Sequence, residues 1–395
     1  MPEKFVYADN AATTRVSQSV LDAMLPYFGE EYGNPSSLHS KGREASAALG
    51  DARARIAKLL GAKESEIYFT ASGSEADNWA IKGAAYANRD RGKHIVSTKI
   101  EHHAVLNSLK SLEREGFEVT LVDVDQGGRV SPEAVANAVR EDTVLVSVMT
   151  ANNEVGTIEP IAEISAAVKQ KNRKTLIFTD AVQAAGTLRL DVRELGVDML
   201  SLSGHKLHAP KGVGALYIRN GIRVSNLIDG GGQERSRRGG TENLPYIIGL
   251  AKALEDAVAG IDENARVSAM RDRLIDGILD KIPYTRLNGA REQRLPGNVN
   301  ISFDYIEGES LLLWLDMNGI CASTGSACSS ASLEASHVLL ALGVPVESAH
   351  GSLRLSLGRD NTDDDVDYIL RVLPGIVERL RAMSPLYEKV NGSKI

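Results

Sequence analysis

The stretch TLIFTDAVQAAGTLRLDVRELGVDMLSLSGHKLHAPKGVGALYI, residues 175–218, decides the fold class. It holds three short apolar, β-rich runs: TLIFTD (175–180), VDMLSLS (197–203) and VGALYI (213–218). The last two flank a polar segment rich in His, Lys and Gly, the kind of strand-end loop where α/β folds place chemistry. Upstream the same rhythm runs through EIYFT (66–70), HIVST (94–98), FEVTLV (117–122) and TVLVSVM (143–149). Between these runs, SEADNWAIKGAAYANR and HAVLNSLKSLEREG space their apolar residues helically and end in cap-type residues or Gly. A mostly parallel sheet covered by helices is predicted, in a large domain that ends near residue 260. A long helix over 261–282, then NVNISF, LLLWLDMNG, SLRLSLG and a helix over 363–382, predict a smaller α+β domain. The N-terminal strand and its DNAATT turn are expected to fold back toward the active-site region.

At 395 residues the chain is too long for one ordinary domain and has ample core for two. Hydrophobic residues at 43% and charged residues at 25% exclude collagen-like, disulfide-scaffold and wholly disordered classes. A net charge of -7 argues against nucleic acid as a partner. Cys321 and Cys328 are the only cysteines and lack the CxxC spacing of a structural zinc site, which fits a reducing compartment. MPEKFVYADNAATTR has neither a basic n-region nor an apolar h-region, and no run approaches a membrane span, so a cytoplasmic location without membrane contact is expected.

Three pieces of one cofactor site stand out. Lys206 follows directly on VDMLSLS, where a lysine can be desolvated and used as an amine nucleophile. Asp180 ends the apolar run TLIFTD, with Gln183 three residues on, and suits a pyridinium nitrogen. The small-residue turn TASGSEA, residues 70–76, joins a strand to a helix, and its N–H groups and the helix dipole suit a phosphate. A lysine, a ring-nitrogen acid and a phosphate cradle are what pyridoxal phosphate needs. Taken singly, the lysine has a plainer reading as a surface residue and the turn as a helix cap. Glu101-His102-His103 follows HIVST and offers an imidazole to stack on a ring or move protons, or merely to cap a helix.

CASTGSACSSASLEASH, residues 321–337, crowds Ser, Ala and Gly around Cys328 with almost no bulky side chain, the composition of a mobile arm bearing a thiol. Cys321 reads as a small core residue with no chemical role. Arg354, in the strand-like SLRLS, could hold a substrate carboxylate or sit in a structural ion pair. GGGQERSRRGGT, residues 230–241, is flexible and locally basic, and could approach a phosphate or be simply a loop. No GxxxxGK[ST], HExxH or GxSxG pattern occurs, and GVGALY lacks the third glycine of a dinucleotide fingerprint.

YADNAATT, YGNPSSLH, TASGSEADN, EHHAVL, TANNEVGT, TDAVQAAG, SLSGHKLHAPKGVGALY, RRGGTEN and CASTGSACSSASLE together resemble the NifS/IscS-type cysteine desulfurases, class V aminotransferase relatives that use pyridoxal 5'-phosphate. The resemblance runs from about residue 5 to about residue 382. It implies a PLP-transferase fold, aspartate-aminotransferase-like, with a seven-stranded mostly parallel sheet in a large domain over 15–260. A smaller domain would comprise 1–14 and 261–395 and carry the cysteine arm, about 321–337.

By resemblance, Lys206 is the Schiff-base lysine, Asp180 partners the pyridine nitrogen, Gln183 reaches the ring hydroxyl and His102 stacks on the ring and relays protons. Gly73, Ser74, Ser203 and His205 match phosphate-binding positions, and Asn153 another cofactor contact. Thr241 matches a phosphate ligand given from the neighbouring subunit, which implies a homodimer. Arg354 and Asn34 match substrate-carboxylate positions. Cys328 matches the cysteine that takes sulfur from L-cysteine as a persulfide, leaving alanine, and passes it to an iron–sulfur scaffold or another acceptor. No stable metal site is implied, only a transient iron–sulfur contact at Cys328. The arm resembles the longer-looped branch that serves iron–sulfur assembly more than the branch containing selenocysteine lyases. The overall pattern leans slightly toward NifS, hence nitrogenase maturation.

Overall fold

The computed structural model describes residues 2–324 and 334–392. The chain starts with a two-residue strand, β1 (Val6–Tyr7), and then builds one sheet from β2 (Ile67–Thr70), β3 (His94–Thr98), β4 (Glu118–Val122), β5 (Thr143–Ser147), β6 (Leu176–Asp180), β7 (Met199–Ser203) and β8 (Gly214–Ile218). The spatial order is β2-β8-β7-β6-β5-β3-β4. Only β8 runs against the others, pairing antiparallel with both β2 and β7. The sheet matches the seven apolar runs, each trimmed by at most two residues at either end. β2, β3 and β5 to β8 are buried throughout, as expected of strands covered on both faces.

Helices Gly73–Asn88 and His103–Glu113 pack on one face around Trp79, Leu109 and Phe178. Helices Ser40–Leu59 and Leu244–Ala259 close part of the opposite face through Ile56, Leu250 and Leu254. A second core gathers Val6 and Ala8 with residues between Val267 and Leu380. Its sheet sets β10 (Asn298–Phe303) between β9 (Thr285–Leu287) and β12 (Ser352–Ser356), all antiparallel. β1 pairs in parallel with β11 (Ile320–Cys321), so the N-terminus folds back as expected. LLLWLDMNG proves mainly helical, within Gly308–Met317, and 261–282 is a 3-10 turn followed by the helix Asn264–Lys281. Cys321 is half-buried at the short β11 strand rather than enclosed in the core, a correction to the expectation from sequence.

The basic stretch around residues 230–241 is tied down residue by residue. Glu234, Arg235 and Ser236 all take left-handed φ, at 45°, 58° and 61°, an unfavourable run for side-chain-bearing residues. The buried Glu234 carboxylate holds the run by accepting both Arg53 guanidinium nitrogens at 2.8 Å and the Phe69 amide at 2.9 Å. Arg235 donates to the Ile67 carbonyl, Arg237 to the Val224 carbonyl, and Arg238 grips Glu75 with two hydrogen bonds. These arginines are therefore spent on structure, and the stretch is not the free basic loop its composition suggests.

Removing Arg53 strands a buried carboxylate. Arg53→Ala is expected to lower stability by roughly 3–5 kcal/mol in urea unfolding, whereas Arg53→Met combined with Glu234→Leu recovers most of the loss.

Candidate active site

The site is built where the strands end. A cavity of about 290 Å³ opens beyond the carboxyl ends of β2, β3, β5, β6 and β7, walled by Gly73, Ser74, Asp77, Glu101, His102, Asn153, Glu154, Asp180, Gln183, Ser203, His205, Lys206, His337 and Arg354. Gly73 begins its helix, with the Ser72 hydroxyl accepting the Glu75 amide as N-cap. A helix start leaves its first amides without intrahelical partners, so Gly73 and Ser74 offer N–H groups at the positive end of the dipole. Glycine keeps the approach open: a Cβ on Gly73 would lie 2.9 Å from the Val182 side chain and 3.2 Å from Ser203, so a neighbour would have to shift. Gly214 is equally constrained, since its Cβ would meet the Leu202 carbonyl and the Ser72 backbone at 2.7 and 2.8 Å.

Lys206 follows β7 by three residues and reaches the N-terminal turn, donating to the Ala11 and Ala12 carbonyls at 2.5 and 2.7 Å. Gln183 donates to the same Ala11 carbonyl at 3.0 Å. Asp180 ends β6, buried, with the Val182 amide donating to Oδ1 at 2.8 Å. Burial raises its carboxyl above the usual range, while His102 and Lys206 pull in the opposite direction. His102 caps the His103–Glu113 helix by accepting the Ala104 amide on Nδ1 at 3.1 Å, which leaves Nε2 as the nitrogen that can exchange a proton. Its imidazole is pushed below the usual value, chiefly by burial. His205, lowered to about 4 by burial and then by Lys206 and Lys211, is neutral at physiological pH.

Arg354, from β12, brings the small sheet into the cavity wall. It is 2% exposed, donates to the Asn153 carbonyl at 3.0 Å and to Asp9 Oδ1 at 3.1 Å, and its Nε has no partner among the described residues. The structural ion pair is present, and the same arginine also faces the cavity.

Of the residues expected from sequence, Lys206, His102, Gly73, Ser74, Asn153, Asp180, Gln183, Ser203, His205 and Arg354 line this one cavity. Asn34 does not: it is exposed in the turn before the Ser40–Leu59 helix, its side chain accepting the Ser36 amide. Thr241 is also exposed and lines a separate depression with Arg238 and Glu242. Cys328 lies outside the described residues. The segments on either side are fastened to the site, by Ser323 pairing with the Arg354 backbone, by the Ser336 hydroxyl on Glu154 at 2.5 Å and by His337 Nε2 against the Glu101 carbonyl at 3.0 Å.

Several groups escaped the sequence reading. Asp77 and Glu101 are buried acids in the cavity wall, and Glu154 is a third. Burial pushes Glu101 to about 8 and Glu154 to about 7, despite the hydrogen bonds each accepts. Asp77 had a findable signal: it lies four residues beyond Gly73, on the same face of the helix.

The donor set fits pyridoxal 5'-phosphate. A helix start stripped of a Cβ and flanked by the Ser203 hydroxyl suits the phosphate, Asp180 suits a ring nitrogen, and Lys206 supplies the amine. Residues 6–369 match the family model described as aminotransferase class-V. The chain belongs to this pyridoxal-phosphate-dependent family, among its NifS/IscS-type cysteine desulfurases. It is 58% identical to cysteine desulfurase IscS of Methanosarcina thermophila, over 98% of this chain and 95% of that one. It is 56% identical to cysteine desulfurase IscS of Clostridium botulinum, strain Hall, over 98% and 97%. A solved NifS-like protein superposes with a TM-score of 0.90 at 42% identity, covering 95% of this chain and all of that one. SspA, solved in complex with cysteine, superposes with a TM-score of 0.79 at 35% identity, covering 90% of this chain and all of that one.

A buried acid just beyond the site gives a pH test. Burial raises Glu159 to about 8, against the Val130 amide that its Oε2 accepts at 2.9 Å. Between the unfolded carboxyl value near 4.5 and about 8, the folded state binds the extra proton, so this group's contribution to stability falls as pH rises. Glu159→Gln should therefore gain melting temperature relative to the parent chain as pH is raised from 5 to 8.5, by the equivalent of about 1 kcal/mol or more; a pH-independent difference contradicts the assignment.

Proposed function

We propose that this enzyme is a cysteine desulfurase that takes sulfur from L-cysteine, releases L-alanine and passes the sulfur from a persulfide on Cys328 to an acceptor for iron–sulfur cluster assembly. The carrying observation is the meeting of Lys206, Asp180, His102, Gln183 and Arg354 with the Gly73 helix start in one cavity. The two cores support reading 15–260 as the cofactor-binding domain and 1–14 with 261–395 as the smaller one.

Bound here, pyridoxal 5'-phosphate supplies an aldehyde for the Lys206 amine and a ring that draws electrons from the substrate α-carbon. The Gly73 and Ser74 amides with Ser203 and neutral His205 hold the phosphate, Asn153 gives a further contact, and Gln183 takes the ring hydroxyl. Asp180 would hold the ring nitrogen, and His102, with Nε2 available for proton exchange, would stack on the ring. The Arg354 guanidinium orients the substrate carboxylate, loosening its hold on Asp9. Lys206 exchanges the Ala11 and Ala12 carbonyls for its catalytic partners and moves the α-proton. The Cys328 thiolate attacks the substrate sulfur, the carbon–sulfur bond breaks with its electron pair going to the carbon that takes up a proton on the way to L-alanine, and the sulfur stays on Cys328 as a persulfide.

Thr241 supports a homodimer. It is exposed, outside its own cavity, and carried on a stretch fixed by Arg53–Glu234 and Arg238–Glu75, as suits a ligand offered to the partner's phosphate. No helix among the described residues is long and apolar enough to cross a membrane. A Cys328 thiol kept free between turnovers persists best in a reducing compartment, which supports the cytoplasm as the enzyme's location. Relatives named IscS favour a general iron–sulfur supply over one dedicated to nitrogenase and nitrogen fixation.

Cys328→Ala is expected to keep the yellow cofactor while desulfuration falls on the order of a thousandfold or more. Full activity in that variant contradicts the persulfide route. Lys206→Ala should abolish turnover even if cofactor remains bound noncovalently, and normal turnover would refute the lysine's role.

A further inference from the structure

We propose that Asp77 is a positioning residue for this chemistry: it holds the single proton of a buried Asp77–Asp180 carboxyl pair and so leaves Asp180 as the ionised carboxylate of the cavity. The inference rests on the desulfurase reading for its purpose, but its physical content belongs to the chain alone. A carboxylate oxygen of Asp77, one of Asp180 and a nitrogen of His102 lie within 4.8 Å of one another. Asp77 is 1% exposed and Asp180 6%. Two carboxylates this close and this dry cannot both be charged, because their repulsion is not screened by water.

The surroundings decide which keeps the proton. Asp180 has the Val182 amide on Oδ1 and feels the Lys206 charge as a favourable neighbour. Asp77 faces Asp180, Glu101 and Ser201, and no lysine or arginine is among the groups that shift it. The Ser201 hydroxyl donates to Asp77 Oδ1 at 2.6 Å, which leaves Oδ2 for the proton. Burial and then the Asp180 charge raise the Asp77 carboxyl well above its ordinary value, in the same direction as the geometry. His102 does not rescue the pair as a cation, since its Nδ1 accepts the Ala104 amide and burial disfavours its charged form. Glu101, next along the wall, is itself raised to about 8 and adds no charge near neutrality. The same helix thus serves the cofactor twice, by its start at Gly73 and by Asp77 one turn on.

Isotope-edited infrared spectroscopy of the holoenzyme, grown with 13C-labelled aspartate, separates aspartic-acid carbonyl bands from those of the buried glutamates. At pH 7.5 the wild type should show a protonated-aspartate band that vanishes in Asp77→Asn and shifts in frequency in Ser201→Ala. The Ser201 variant keeps the test alive if Asp77→Asn folds poorly. Absence of the band in the wild type, or a band that both variants leave unchanged, overturns the proposal. The band is read independently of turnover, so an enzyme that shows it but yields no alanine contradicts the desulfurase reading alone.

Discussion

The Asp180 carboxylate sits at the end of a central strand, out of water, and its charge has to be answered inside the protein. That constraint organises the site. β6 lies between β5 and β7, so what surrounds its end must come from the ends of neighbouring strands. Lys206 follows β7, Glu101 and His102 follow β3, and the Gly73 helix follows β2. In this low-dielectric setting each charge is felt strongly, which is why the histidines and acids here depart from their ordinary titration.

The second structural requirement is closure from outside the large sheet. The N-terminal turn closes one side, bound by Lys206 and Gln183 at Ala11, and by Thr14, whose amide and hydroxyl both donate to the His205 carbonyl. The small sheet closes another through Arg354, whose strand also pairs with Ser323. A cluster of Ile100, Met149 and Val155 with Val338, Leu339 and Leu342 packs the two parts together beside the cavity. Under the proposed function, a substrate carboxylate on Arg354 would be bound to one core while Lys206, which acts at the α-carbon, belongs to the other, so the packing between the cores would set the alignment of the reacting groups.

Much of this was legible in the sequence because strands buried on both faces leave runs rich in apolar and β-branched residues, as β2, β3 and β5 to β8 do, while the largely exposed edge strand β4 showed in FEVTLV. The ends of the strands were legible for the same reason, and with them Asp180 and Lys206. Boundaries slipped by a residue or two where an apolar residue continues past the last ladder bond, as at Val148 and Met149. LLLWLDMNG left no clear period because a helix packed on one face can still be apolar nearly all round. Glu101 and Glu154 were silent because a buried acid looks like any surface acid until its neighbours are known, and Asp77 showed only in its helical spacing from Gly73. The basic stretch at 235–238 misled for the opposite reason: its charges are consumed by backbone carbonyls and by Glu75, contacts no local pattern records. Asn34 and Thr241 could be placed only by likeness, since neither belongs to the cavity of its own chain.

The most direct measurement mixes the purified enzyme, pyridoxal 5'-phosphate and L-cysteine with a reducing thiol, and follows alanine and sulfide together. Equal yields of the two over many turnovers are predicted. Sulfide without alanine, or neither product from a chain that binds the cofactor, would contradict the account.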